Sequence, residues 1–281
     1  MGGTEGAVVG ISAAQIFAAN RATGRITLKA DAAGGRTRRT RVHEDGSLRV
    51  RFPGRPANAL GAVIVNTAGG MTGGDRFAVD LALGPRAKVV ATTVAAEKIY
   101  RSTGADTETA ITLAVGDDAH LTWLPQETIV FNRARLRRTI DIELAESAGL
   151  VMAEAVVFGR TAMGEILREG LFADRWRVRR GGRLIYADAV LLDGDIAEKL
   201  GHRAVAAGSL AIGSALITPC PDAVVEGMRA LAADAAGEIG ISAWNGIAVV
   251  RFCAGDGATL RHDLIAVLAA LGVSVPRIWL Q

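Results

Sequence analysis

The sequence predicts a mainly β protein with a small helical part toward its C-terminal end. Three observations lead there. From about Val63 to Leu192, apolar residues alternate with polar or small ones in short runs, which is the period of a strand. Gly, Asp or Pro breaks these runs roughly every ten to fifteen residues, the turn spacing of a sandwich, barrel or solenoid. After about Gly194 two stretches change to helical spacing.

Taken in order, Phe77, Val79, Leu81 and Leu83 alternate with Ala78, Asp80 and Ala82 and stop at Gly84-Pro85, so one face is buried and the other small or polar. Val89 to Val94 is a second strand. Ile111, Leu113 and Val115 make a third before Gly116-Asp117-Asp118, and Leu121 with Trp123 begins a fourth. Leu136, Ile140, Ile142 and Leu144 interleave with Arg137, Thr139, Asp141 and Glu143. Leu150 to Phe158 is apolar almost throughout, a strand covered on both faces. Phe172, Trp176 and Val178 alternate with Arg175, Arg177 and Arg179, which gives a strand an Arg-bearing outer face. Pro219-Cys220-Pro221-Asp222 then suits a helix entrance, followed by Val224, Val225, Met228, Leu231 and Ala232. A strand from about Ile247 to Phe252 separates this helix from a second, which Asp256-Gly257 opens and Gly272 closes. No linker-like tract interrupts the chain. The expectation is one domain over 1–281, mainly β to about residue 195 and mixed α/β with two helices from about 196 to 281.

Composition removes several functional classes. Half of the 281 residues are hydrophobic, which suits a compact core and not a disordered chain. Lys plus Arg (32) against Asp plus Glu (29) is too even to imply a polyanion partner by itself. Cys220 and Cys253 lack the paired spacing of a disulfide scaffold or zinc module, which suits a reducing compartment. The N-terminus lacks a basic region followed by a sustained apolar one, and no apolar run reaches the roughly eighteen residues of a membrane span. A cytoplasmic protein is expected.

The chemistry-bearing stretches are few. Asn66 to Asp75 is rich in glycine, but a phosphate loop needs a helix behind it and Walker A needs a Lys, and here a period-two run follows. The glycines can instead permit close backbone approach and fix Asp75 at the mouth of the next strand, where its plain role is a turn carboxylate accepting backbone N–H bonds. Glu97, Lys98 and Arg101 read as surface charges on a strand. Glu154 stands inside the apolar run 150–158, so it must face solvent, find a partner or line a wet cavity. Asp188 is a weaker case of the same kind. His43, His120, His202 and His262 are dispersed and form no metal motif, and no nucleophile elbow occurs. Rows of Arg at 36–41, 133–138 and 175–180 read as stripes on outer strand faces. Nucleic acid binding would interleave them with aromatics, which are only 5% of the chain.

Five segments in order, NTAGGMTGGDR (66–76), TTVAAEKIYRS (92–102), LTWLPQETIVF (121–131), EAVVFGRTAMGE (154–165) and the terminal PRIWLQ (276–281), resemble the UreD (UreH) family of urease accessory proteins. The resemblance implies a largely β-helical fold with a small helical part and a non-enzymatic maturation factor without a tightly bound cofactor. It further implies binding to UreF and, through it, to the GTPase UreG, docking on apo-urease, and an internal water-filled passage for Ni²⁺. Onto that passage it carries Asp75, Glu154 and, by approximate position, Asp188 as transient nickel contacts. Arg277, Ile278 and Trp279 are the expected UreF-facing residues. Isolated carboxylates and water suit a conduit, because a His/Cys cage would hold Ni²⁺ too tightly to release it. The competing expectation is a β-solenoid or sandwich carbohydrate hydrolase with Asp75 and Glu154 as paired carboxylates. A third is an Arg-rich nucleic-acid binder, with a steep salt dependence.

Overall fold

The computed structural model describes residues 20–54, 59–160, 164–165 and 167–280. The reading of the N-terminus as free of a targeting segment falls on residues 1–19, outside the described residues. Two sheets form the body. In the first, β1 (Thr23–Ala33), β5 (Arg76–Leu83), β8 (Thr107–Val115), β11 (Arg135–Leu144) and β13 (Glu169–Arg180) run parallel. In the second, β4 (Leu60–Asn66), β6 (Lys88–Thr93), β9 (His120–Trp123) and β12 (Gly149–Phe158) run parallel. The chain passes from β4 to β5, back to β6, on to β8, and so on, which winds it into a two-sheet β-solenoid. Leu60 lies beside Val89, Lys88 beside His120, and His120 beside Gly149, so each turn takes about 30 residues.

Both ends of each sheet are antiparallel. The first ends in β2 (Arg36–Gly46) beside β1 and in β14 (Arg183–Asp195) beside β13. The second ends in β3 (Leu48–Arg51) and, on the other side, in β15 (Ala211–Thr218), β17 (Ile247–Ala254) and β16 (Glu238–Trp244). Two short strands, β7 (Glu97–Ile99) and β10 (Thr128–Val130), pair with each other, and β10 also pairs with β12.

Alternation explains the core. Leu150, Met152, Val156 and Phe158 of β12 face the first sheet and join the core between the sheets. Val151, Ala153, Ala155 and Val157 face the other way, into a second apolar layer with helices α2 (Asp222–Ala232) and α3 (Gly257–Ala270). All ten residues of β12 are therefore buried, as a strand covered on both faces requires. Asp256 caps α3 by accepting the Thr259 N–H at 2.8 Å. A short helix α1 (Ile196–Gly201) follows β14. This helix, β1 to β3, β14, β15 and β16 lie outside the elements that the sequence pattern predicts. β2 is exposed at nearly every position, so it lacks the apolar phase by which a half-buried strand is read; β16 has only a short one, Ile239 and Ile241, which pack half-buried on the second apolar layer.

Candidate functional site

Three charges stand where alternation demands apolar residues. Glu154 on β12 shares the inward phase of Met152 and Val156. Arg138 on β11 shares that of Leu136, Ile140 and Ile142. Asp174 on β13 shares that of Phe172, Trp176 and Val178. Arg138 and Asp174 are register partners on neighbouring strands, and Glu154 reaches them from the opposite sheet. The Arg138 guanidinium donates from Nη1 to Glu154 Oε2 at 2.6 Å. It also grips Asp174 at both oxygens, from Nε at 3.0 Å and Nη2 at 2.7 Å, the fork geometry that makes Arg the suited cation for such a place. Two indoles complete the shell: Trp123 Nε1 donates to Glu154 Oε1 at 2.8 Å, and Trp176 Nε1 to Asp174 Oδ2 at 3.0 Å.

All three charged residues are buried. Burial pushes the Glu154 carboxyl above its ordinary range, against the opposing pull of Arg138 and the Trp123 N–H. The flanking carboxylates hold Arg138 firmly protonated. With every group ionised the two carboxylates and one guanidinium carry one negative charge in excess.

Open space adjoins Glu154. A cavity of about 80 Å³ is lined by Glu97, Gln126, Thr128, Arg138 and Glu154 against a mainly apolar wall that includes Met71 and Trp123. That volume accommodates a handful of waters. The Gln126 Nε2 is buried without a hydrogen-bond partner among the described residues, so its donor is left for a water or another acceptor. Gln126 itself is fixed: its Oε1 accepts from Arg261 Nη2 and its backbone N–H donates to Thr93 Oγ1 at 2.8 Å. Glu97 accepts from Asn66 Nδ2 at 2.9 Å, and burial pushes its carboxyl up to about 7. Glu97 is thus not the surface charge its sequence context suggests. It lies in the wall of the interior.

The other predicted site residues are elsewhere. Asp75 is buried in the glycine-rich turn, where Oδ1 accepts the Ala22 N–H and Oδ2 the Thr72 N–H, each at 2.8 Å. It ties the start of β1 to the turn before β5, as a turn carboxylate that binds backbone. Gly73 lets this happen, since a Cβ there would lie 2.0 Å from Ser102 Oγ and 2.4 Å from Ala105 O. Asp75, expected to share one path with Glu154, is not among the residues lining this cavity; its oxygens bind backbone amides. The two acids of the hydrolase pairing have separate partners: Asp75 binds the backbone of Ala22 and Thr72, and Glu154 binds Arg138 and Trp123. Asp188, on β14, is ion-paired to Arg251 Nη2 at 2.7 Å and also lies off the cavity.

The C-terminal tail folds back on its own protein. Trp279 is 4% exposed and donates from Nε1 to Leu124 O at 3.1 Å, while Arg261 donates to Trp279 O at 3.1 Å and covers the ring. Of the expected partner-facing residues, Trp279 is a structural anchor. Ile278 is half-buried and Arg277 exposed.

One Arg row, 133–138, is neutralised, together with Arg179 of another. Arg135 and Arg137 share Asp106, Arg133 pairs with Glu169, Arg179 with Glu143, and Arg138 is inside. Among the described residues no three of His, Cys, Asp and Glu converge as a metal-binding group, and no helix is long and apolar enough to cross a membrane.

Known proteins place this arrangement. The family model for the UreD urease accessory protein matches residues 22–280. The chain is 57% identical over 271 residues to urease accessory protein UreD of Rhodopseudomonas palustris (strain BisB18), covering 96% of this chain and 98% of that protein. It is 54% identical over 271 residues to urease accessory protein UreD 1 of Bradyrhizobium sp. (strain ORS 278), with 96% and 98% covered. The UreD of Bradyrhizobium diazoefficiens is 54% identical over 266 residues, with 95% and 96% covered. The family model over nearly the whole chain and these relatives assign it: the chain belongs to the UreD family of urease accessory proteins.

Proposed function

We propose that this chain is a urease maturation factor whose interior gives Ni²⁺ a hydrated passage, working in a complex with UreF, through UreF with UreG, and with apo-urease. The observation that carries the reading is the buried ion-pair cluster of Glu154, Arg138 and Asp174 beside a cavity of water size that a second acid, Glu97, also lines. Moving a dication through a protein requires that its lost hydration be offset without being replaced by a trap. Carboxylate oxygens and water are hard, exchangeable contacts, whereas His and Cys would favour retention. Arg138 matters here as well, because it occupies one Glu154 oxygen and lowers the negative field the ion meets.

In this reading Glu154 and Glu97 are the transient contacts, and Asp75 and Asp188 serve the scaffold. The test is Glu97→Leu, which removes the charge and places an apolar side chain at the cavity while leaving the Arg138 cluster intact. The variant should fold and co-purify with UreF like the parent, yet urease matured in its presence should hold less nickel by metal analysis. Normal nickel content would reject the passage through this cavity.

A further inference from the structure

Taking a guanidinium out of water is costly unless a carboxylate offsets its charge. Arg49, Arg135, Arg138, Arg179, Arg251 and Arg261, all buried or half-buried, each have a carboxylate within ion-pair distance. Arg180, half-buried at the end of β13, has none among the described residues. Its acceptors are neutral: Nη1 donates to Glu146 O at 3.2 Å, and Nη2 to Ala148 O at 3.3 Å and Thr218 Oγ1 at 2.9 Å. Its Nε is buried with no acceptor among the described residues. Glu146 lies against the β13–β14 turn, where a Cβ on Gly181 would come 2.1 Å from its Oε1, and it gives Arg180 its carbonyl, not its carboxylate. Arg180 borders a cleft of about 440 Å³ between that turn and the Asn245-Gly246 turn that joins β16 to β17, a volume suited to a small organic ligand. Arg183 also lines the cleft and has no hydrogen-bond or ion-pair partner among the described residues, and none of the described residues lining it is Asp or Glu. Trp244, 39% exposed, and Leu184, 50% exposed, give it an apolar wall. Positive φ angles at Asn245 (49°) and Gly246 (73°) make a tight hairpin turn, and the Trp244 ring leans on Tyr186 with centroids 6.2 Å apart, so the indole is held in place.

We propose that this cleft is a binding site for a carboxylate that carries an apolar group, either as a free acid or displayed on a polypeptide. The carboxylate sits with Arg180 and Arg183 and supplies the counter-charge that Arg180 lacks, in the planar geometry a guanidinium recognises. The apolar group lies against Trp244 and Leu184. Each half of the cleft selects one half of the ligand: a bare inorganic anion leaves the indole wall uncovered, and a neutral apolar molecule leaves both guanidinium charges unanswered. Trp and Arg side by side are also the residue types that anchor contacts between proteins. The cleft shares no lining residue with the cavity beside Glu154, so the proposal stands apart from the nickel passage.

The probe is N-acetyl-leucine, with N-acetyl-leucinamide as the same body without the charge. Titrated into the full-length chain at low salt, the acid should shift the Trp244 indole N–H resonance, identified through Trp244→Phe, and saturate in the millimolar range. The amide should bind at least about tenfold more weakly, because a hydrogen bond to a charged group is worth more than one tenfold step. Arg183→Gln changes an exposed turn residue; it should weaken the acid by about the same factor with an unchanged melting temperature. No saturable shift with the acid, equal affinity for acid and amide, inorganic phosphate bound as tightly as the acid, or an Arg183→Gln variant that binds like the parent would each overturn the proposal. Capture of UreF and of apo-urease then separates the two sources. A loss of either in Arg183→Gln puts the carboxylate on that polypeptide, whereas unchanged capture of both, with N-acetyl-leucine bound by the parent, assigns the site to a free acid.

Discussion

Asp75 and Glu154 are buried to the same extent, 4% exposed each, and stand in motifs that single both out, yet they occupy opposite kinds of place. Asp75 sits in a turn and spends both oxygens on the N–H groups of Ala22 and Thr72. Glu154 sits between the sheets with a guanidinium on one oxygen, an indole on the other, and a cavity alongside. Burial alone therefore does not mark a carboxylate for ligand chemistry. What decides is whether its lone pairs are satisfied by the backbone that must be there for the fold, or by side chains next to open space.

The contrast can be broken most forcefully at Arg138. Arg138→Met strands Glu154 and Asp174 without their cation and should destabilise by about 3–5 kcal/mol in urea unfolding. Making Glu154 and Asp174 apolar in the same variant should recover much of that loss, because the cost arises from uncompensated charge. Asp75→Ala orphans two buried backbone donors and should cost about 2–3 kcal/mol. If Asp75 is scaffold only, urease matured by the folded fraction of that variant should hold normal nickel; a nickel deficit beyond the loss of folded protein would blur the contrast.

Glu97→Gln sharpens the contrast at the cavity wall. The folded carboxyl keeps its proton up to about pH 7, against an ordinary value of 4.5 when unfolded. The folded state thus binds the extra proton, and stability falls as pH rises between those values, then stays level above them. Glu97→Gln should remove this dependence. The variant should match the parent at the acid end of the window and exceed it by roughly 1–2 kcal/mol at pH 8 in thermal melts, since each tenfold change in proton affinity is worth about 1.4 kcal/mol before solvent screening. The smallest effect is expected for Trp123→Phe, which removes one donor from Glu154 while Arg138 stays, at about 1 kcal/mol in urea unfolding.

Much of the fold was legible because local periods are physical records of burial. Phe77 to Leu83, Thr107 to Val115 and the all-apolar β12 follow their patterns into the structure, and Pro221-Asp222 and Asp256-Gly257 open α2 and α3. The site was legible in part. Glu154 breaks its strand visibly. Arg138 and Asp174 break theirs in the same way, but Arg138 is hidden inside an Arg-rich row and so reads as surface. Glu97 and Gln126 give no such signal. They lie where the chain leaves the parallel strands, at β7 and in the Pro125-Gln126-Glu127 turn, and no sustained period there says which way a side chain points.

The sequence by itself determined on which side of its own strand each of Arg138, Glu154 and Asp174 must lie, because side chains alternate strictly along an extended backbone. The tertiary structure alone decided that the three meet. That depends on how the winding stacks β11, β12 and β13 and on which residues of the two sheets come opposite one another, a register set by the summed lengths of every intervening turn. The same long-range geometry returned Trp279 to Leu124 and committed Asp75 to Ala22 and Thr72, contacts that no local pattern encodes.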